Sequence, residues 1–182
     1  MMPGEAGEEE TAWEGRFIAA KRRGKWEYVS RTRGVSAAVI LAIDEGHAIL
    51  VEQYRVPLGV PCIELPAGLV GDETAGEEGA TAAIRELEEE TGYRAERMVE
   101  LGRFHASPGM SSEGFTLLRA EGLTRTGAGG GVAGEDIEVH RVPLDEVPAF
   151  VAAKRAEGAA VDAKLLLLLA ADLLQPTAPA GN

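Results

Sequence analysis

Residues 71–93 read Gly71-Asp72-Glu73-Thr74-Ala75-Gly76-Glu77-Glu78-Gly79-Ala80-Thr81-Ala82-Ala83-Ile84-Arg85-Glu86-Leu87-Glu88-Glu89-Glu90-Thr91-Gly92-Tyr93. The spacing predicts a helix. Thr74-x-x-Glu77 is a capping-box pattern that fits a start near Ala75, and Gly92 fits the left-handed stop. Gly79 weakens the early part. On this helix Glu86, Glu89 and Glu90 are neighbours on one face, where like charges repel. A hard divalent cation makes such a cluster favourable, and Mg²⁺ fits best because it takes oxygen ligands and shares them with phosphates. The competing reading is a solvated acidic face, common in Glu-rich helices. Leu87 is expected to pack the helix onto a sheet. Arg85 is expected to form a structural ion pair with Glu89, with Glu77 as another partner, and Glu88 is read as solvated.

Working outward, 182 residues suit one domain with a small added element. Composition is 45% hydrophobic and 26% charged, as in a globular soluble chain. A net charge of −12 argues against a broad nucleic-acid surface, which needs clustered Lys and Arg. The single cysteine, Cys62, forms no internal disulfide and belongs to no zinc-type cluster. It is read as a buried structural thiol. The acidic start lacks the apolar core of a signal peptide. The longest apolar run, Leu165 to Ala171, is too short to cross a bilayer. No membrane partner and a cytoplasmic location are the expectations.

Residues 1–10 read as disordered. Arg16–Ala20 and Trp26–Arg31 read as strands around a turn at residues 21–25. Val35–Ile43 and His47–Tyr54 read as a hairpin turning at Asp44-Glu45-Gly46. Strands are expected at Cys62–Leu65, Val99–His105, Phe115–Ala120 and Ile137–Val142, and helices at Leu144–Ala156 and Val161–Leu174. Gly127–Gly134 is a glycine-rich loop that delivers Glu135 and Asp136. Elements alternate irregularly, so the expected fold class is α/β with a mixed sheet sandwiched between helices. The expected organisation is a disordered start plus an N-terminal β-element over 1–33, a main domain over 34–175 and a flexible tail over 176–182.

Gly71, Glu77, Arg85-Glu86-Leu87, Glu89-Glu90 and Gly92-Tyr93 fill every fixed position of G-x5-E-x7-R-E-U-x-E-E-x-G-U, where U is a bulky apolar residue. The chain thereby resembles the Nudix hydrolases. Gln53-Tyr54-Arg55, Glu64-Leu65-Pro66-Ala67-Gly68 and Ser107 to Glu113 resemble the ADP-ribose/ADP-sugar pyrophosphatase branch. Pro108, sixteen residues beyond Gly92, is a mark of that branch. One departure concerns the Pro-Ala-Gly turn, which ends at Gly68, three residues before Gly71. A three-residue insertion is the favoured account, the other being that Gly71 fits the pattern by coincidence.

The resemblance implies a Nudix fold with an N-terminal β-element and hydrolysis of ADP-ribose or a related ADP-sugar to AMP and a sugar phosphate. Glu86, Glu90 and the carbonyl of Ala67 would be Mg²⁺ ligands, with Glu89 as a further ligand or water-orienting group and Mn²⁺ as a substitute metal. Gly71, Glu77, Arg85 and Gly92 would be structural. Glu135 would be the base or an extra ligand, against a plain reading as a solvated loop acid. Arg55 would clamp the diphosphate, against a plain surface ion pair. Trp26, more than Trp13, would stack on the adenine from the partner subunit of a homodimer, against a core role for either. Arg31 would support the nucleotide and Glu113 would contact the terminal ribose. Alternatives in the same family are a GDP-sugar, a dinucleotide or a flavin nucleotide as substrate. A non-catalytic nucleotide-sugar sensor is the alternative from another class.

Overall fold

The computed structural model describes residues 7–32, 36–70, 79–132 and 134–174. Gly71, Thr74 and Glu77, and with them the capping box, lie outside the described residues. The first strands form a separate antiparallel sheet in the order β1–β2–β3, with β1 at Glu9–Glu14, β2 at Ile18–Arg23 and β3 at Trp26–Arg31. The expectation of disorder is thus corrected for Glu9 and Glu10, while residues 1–6 lie outside the described residues. β1 buries almost nothing, but Glu9 pairs with Lys21 and Glu10 with Arg22 across the ladder, each at 2.7 Å. Opposite charges on neighbouring strands favour that register.

The main sheet begins with the hairpin of β4, Ser36–Asp44, and β5, His47–Arg55, joined by the turn at Glu45-Gly46. β6, Val60–Glu64, pairs with β5, and β7, Ala67–Val70, pairs with β4. The acidic helix is α1, described over Gly79–Thr91. β8, Tyr93–Arg94, leads to β9, Arg97–His105, which runs antiparallel to β10, Gly114–Glu121. β10 lies parallel to β4. The short β11, Thr124–Arg125, pairs with β8, and β12, Glu138–Pro143, pairs with β5. α2 spans Val147–Ala156, β13 is Ala160–Val161, and α3 is Leu166–Leu173. α2 starts three residues later than expected. The expected last helix is divided into β13, a 3-10 turn at Ala163–Leu165 and α3, because Asp162 accepts from the Lys164 N–H at 2.7 Å and caps the turn.

Alternation along β4 and β5 separates two cores. Ala38, Ile40, Ala42 and Ile49 meet Ala83 and Leu87 of α1. Val39, Ala48 and Leu50 meet Val147 and Val151 of α2 and Leu169 of α3. Helices therefore cover both faces of a mixed sheet, as expected, and Leu87 is fully buried. This arrangement holds the acidic face of α1 against the strand ends of β5 and β7.

Candidate active site

A cleft of about 420 Å³ lies between α1, β5, β7 and the loop before β12. Glu86, Glu89 and Glu90 all line it, together with Arg85, Ala67, Gly68, Arg55, Arg31 and Glu135. Arg85 bonds Glu89 at 3.2 Å and Glu86 at 3.0 Å, so it orients two of the three carboxylates. Glu88 turns away and pairs with Arg94 at 2.8 Å.

Gly68 is where β7 touches α1. A Cβ there would lie 2.1 Å from Glu86 Cγ, so only glycine lets the strand approach this closely. One residue earlier, the Ala67 N–H donates to Glu90 Oε2 at 3.1 Å. The glycine of the Pro-Ala-Gly turn therefore has a direct structural role against the acidic helix.

The glycine-rich loop closes the other side. Gly92 has φ +71 and ends α1, as expected. Gly130 N–H donates to Glu90 O at 2.9 Å and Gly131 N–H to Glu89 O at 3.0 Å. These carbonyls are left without intrahelical partners at a helix C-terminus, and the loop satisfies them. Glu135 is thereby carried to the cleft, where its Oε2 accepts from Val132 N–H at 2.9 Å. Gln53 steadies the loop through Glu135 O at 3.3 Å.

Charge in the cleft is crowded. Burial first, then the neighbouring Glu86 and Glu135 carboxylates, push the Glu90 carboxyl up to about 8, against the Ala67 N–H and Arg55, which favour its ionised form. A divalent cation held by oxygen donors relieves this crowding, so the donor set fits such an ion. Among the described residues a second group, Glu52, Glu138 and His140, brings three potential ligand atoms within 4.8 Å. Alternation along β5 places Glu52 on the side away from Gln53 and Arg55. Lys154 Nζ already lies 2.7 Å from Glu52 Oε2, so an ammonium supplies the cation there.

The remaining expected residues divide. Arg55 lines the cleft, and its guanidinium is also held by Glu64 at 2.5 and 2.8 Å. Arg31 lines the cleft and pairs with Glu113 at 2.6 Å. Trp26 lies elsewhere, in a cleft of about 450 Å³ between the N-terminal sheet and Pro108 to Ser112. Trp26 and Arg31 point to opposite faces of β3. Trp13 lies exposed on β1 and lines neither cleft. Cys62 is buried, and burial pushes its thiol up to about 12, which suits a structural and not a nucleophilic role. Gln53 and Glu64 stood in the quoted segments of the sequence but were given no role there. The signal for Glu64 was a carboxylate inside an apolar strand; for Gln53 it was the two-residue spacing from Arg55, which puts both on one strand face.

An α/β sandwich with a cation-seeking acidic cleft at the edge of its sheet is the class that fold and site define. A family model described as NUDIX domain matches residues 32–168, and the chain belongs to that family. It is 37% identical over 121 residues to the methanol dehydrogenase activator of Bacillus methanolicus, covering 66% of this chain and 64% of that protein. It is 42% identical over 89 residues to the ADP-ribose pyrophosphatase of Bacillus subtilis (strain 168), covering 49% of this chain and 46% of that protein. These matches thus span about half to two thirds of the curated relatives' length. A solved structure described as an ADP compounds hydrolase superposes with a TM-score of 0.67 over 91% of both chains at 22% identity, a likeness of fold. No described helix is long and apolar enough to cross a membrane.

Proposed function

We propose that the chain is a Mg²⁺-dependent pyrophosphohydrolase that cleaves ADP-ribose or a close ADP-sugar into AMP and a sugar phosphate. The observation that carries this reading is the crowding of Glu86, Glu90 and Glu135 in one cleft with Arg55 on its wall. Carboxylates alone would repel a diphosphate. Carboxylates that hold a cation, facing an arginine, would bind one. The resemblance of segments 53–55, 64–68 and 107–113 to the ADP-sugar branch, and the name of the B. subtilis relative, support the substrate class.

Glu86, Glu90, the Ala67 carbonyl and Glu89 would hold the ion, with Mn²⁺ as a substitute. When bound, the ion would polarise the diphosphate and make water more acidic. Glu135 would take the proton from the water as its oxygen bonds to phosphorus and the bond to the bridging oxygen breaks. Arg55 would hold the diphosphate, and Arg31 with Glu113 would position the nucleoside or terminal ribose. Trp26, with Trp13 as the lesser candidate, would meet the base from a partner subunit, since its own chain holds it on the far face of β3. The protein would act as a cytoplasmic homodimer.

A panel of ADP-ribose, a GDP-sugar, a dinucleotide and a flavin dinucleotide tests this, each with Mg²⁺ and phosphatase coupling to read phosphate release. The highest kcat/KM is expected for ADP-ribose. A preference of tenfold or more for another diphosphate would move the assignment to that substrate.

A further inference from the structure

We infer that Glu64 is a positioning residue: it takes one edge of the Arg55 guanidinium and aims the other edge into the cleft. This rests on the diphosphate reading above. Glu64 is 5% exposed, between Ile63 at 0% and Leu65 at 1%. A carboxylate buried among such neighbours is costly unless fully paired. Its pairing is specific. Arg55 Nε donates to Oε1 at 2.5 Å and Nη2 to Oε2 at 2.8 Å.

A guanidinium has five N–H groups arranged as two usable forks. Glu64 occupies the fork made by Nε and Nη2. The fork made by Nη1 and the second N–H of Nη2 remains, with the geometry that suits two phosphate oxygens.

The register shows why an anchor is needed. Arg55 is the last residue of β5 and stands opposite Val60, whereas Glu64 stands opposite Val51. To reach Glu64 the side chain must fold back along the sheet, away from the exposed Val56 and Leu58 that follow it. An arginine at a strand end is otherwise free to extend into solvent, and holding it in advance lowers the entropy lost on binding. The pair also gives the guanidinium an anion other than Glu90, which it feels across the cleft.

The test is a double-mutant cycle on Arg55→Gln and Glu64→Gln, read as equilibrium binding of the methylene-bridged ADP-ribose analogue with Mg²⁺. Each single variant is expected to weaken binding about tenfold to a hundredfold, the scale of a misplaced positioning group. The double variant is expected to bind no more weakly than Arg55→Gln alone. Binding by Glu64→Gln within twofold of wild type overturns the inference, as does a double variant whose losses multiply. Arg55→Lys keeps the charge but has a single donor head, which Glu64 would occupy. It is expected to bind as weakly as Arg55→Gln, and wild-type binding by it overturns the inference even if Glu64→Gln does not fold. Wild-type turnover of ADP-ribose is read separately. Its absence overturns the proposed function, while the binding cycle still decides the role of Glu64. Absence of analogue binding by the wild type overturns both.

Discussion

Glu90 is asked to be buried and to stay close to other carboxylates, and both raise its pKa. Without metal, the sign of its effect on stability follows. Its folded value of about 8 lies above the ordinary 4.5, so between these values the folded chain holds a proton that the unfolded chain releases. The group's contribution is present in full below about 4.5 and is lost as pH rises through about 8. In a chelator, Tm is expected to fall between pH 5 and pH 9 by on the order of 10 °C through this group. Glu90→Gln should flatten that dependence, and Mg²⁺ at pH 8.5 should restore wild-type Tm because binding favours the ionised form. A pH-independent wild-type Tm would contradict the assignment. Gly68→Ala tests the close approach to Glu86. Its methyl group must displace the carboxylate, so kcat is expected to fall at least about tenfold with a smaller change in Tm. The three helix glutamates were legible in the sequence because their spacing is local. The Arg55–Glu64 pair was not, because nothing local tells which strand residue an arginine will meet.

At the scale of elements, α1 and the glycine-rich loop form one unit. The loop caps the helix, and the helix end places Glu135. Gly129 has φ +72, and a Cβ there would lie 2.4 Å from the Thr91 carbonyl carbon. Gly129→Ala should therefore lift the loop, lowering kcat/KM by about tenfold or more while substrate-free Tm falls by a few degrees, roughly 1 kcal/mol or more. Leu87→Ala, at the fully buried centre of the helix-sheet contact, should cost about 2–5 kcal/mol, read by denaturant midpoint. The β4–β5 hairpin, β6, β9, β10 and β12 were legible because alternating burial and turn residues mark them, whereas the short β7 and β13 were not. β1 was not. Its side chains are exposed, and its order comes from partners on β2 that its own composition does not announce.

For the whole molecule, the N-terminal sheet is separate from the main sheet and joined to it through β3 and the Met110–Glu113 segment, with Trp13, Phe17 and Trp26 all more than half exposed. The expected exchange between subunits would cover such residues. Deleting residues 1–33 should raise KM and shift sedimentation toward the monomer; an unaltered dimer with unaltered KM would count against this role. That Glu86, Glu89 and Glu90 share one helix face followed from sequence spacing; that this face lines a cleft is seen only in the fold. That Trp26 and Arg31 face away from each other was legible in their odd spacing on one strand; that Arg31 and not Trp26 faces the acidic cleft was not, because it depends on how β3 docks. The most direct test of the central claim is AMP release from ADP-ribose by the purified chain, with Mg²⁺ and with chelator, beside Glu90→Gln. The account predicts AMP in step with sugar phosphate for the wild type with Mg²⁺, none with chelator, and a loss of about a hundredfold or more in the variant. Wild-type protein that releases no AMP, or a variant as active as the wild type, would contradict it.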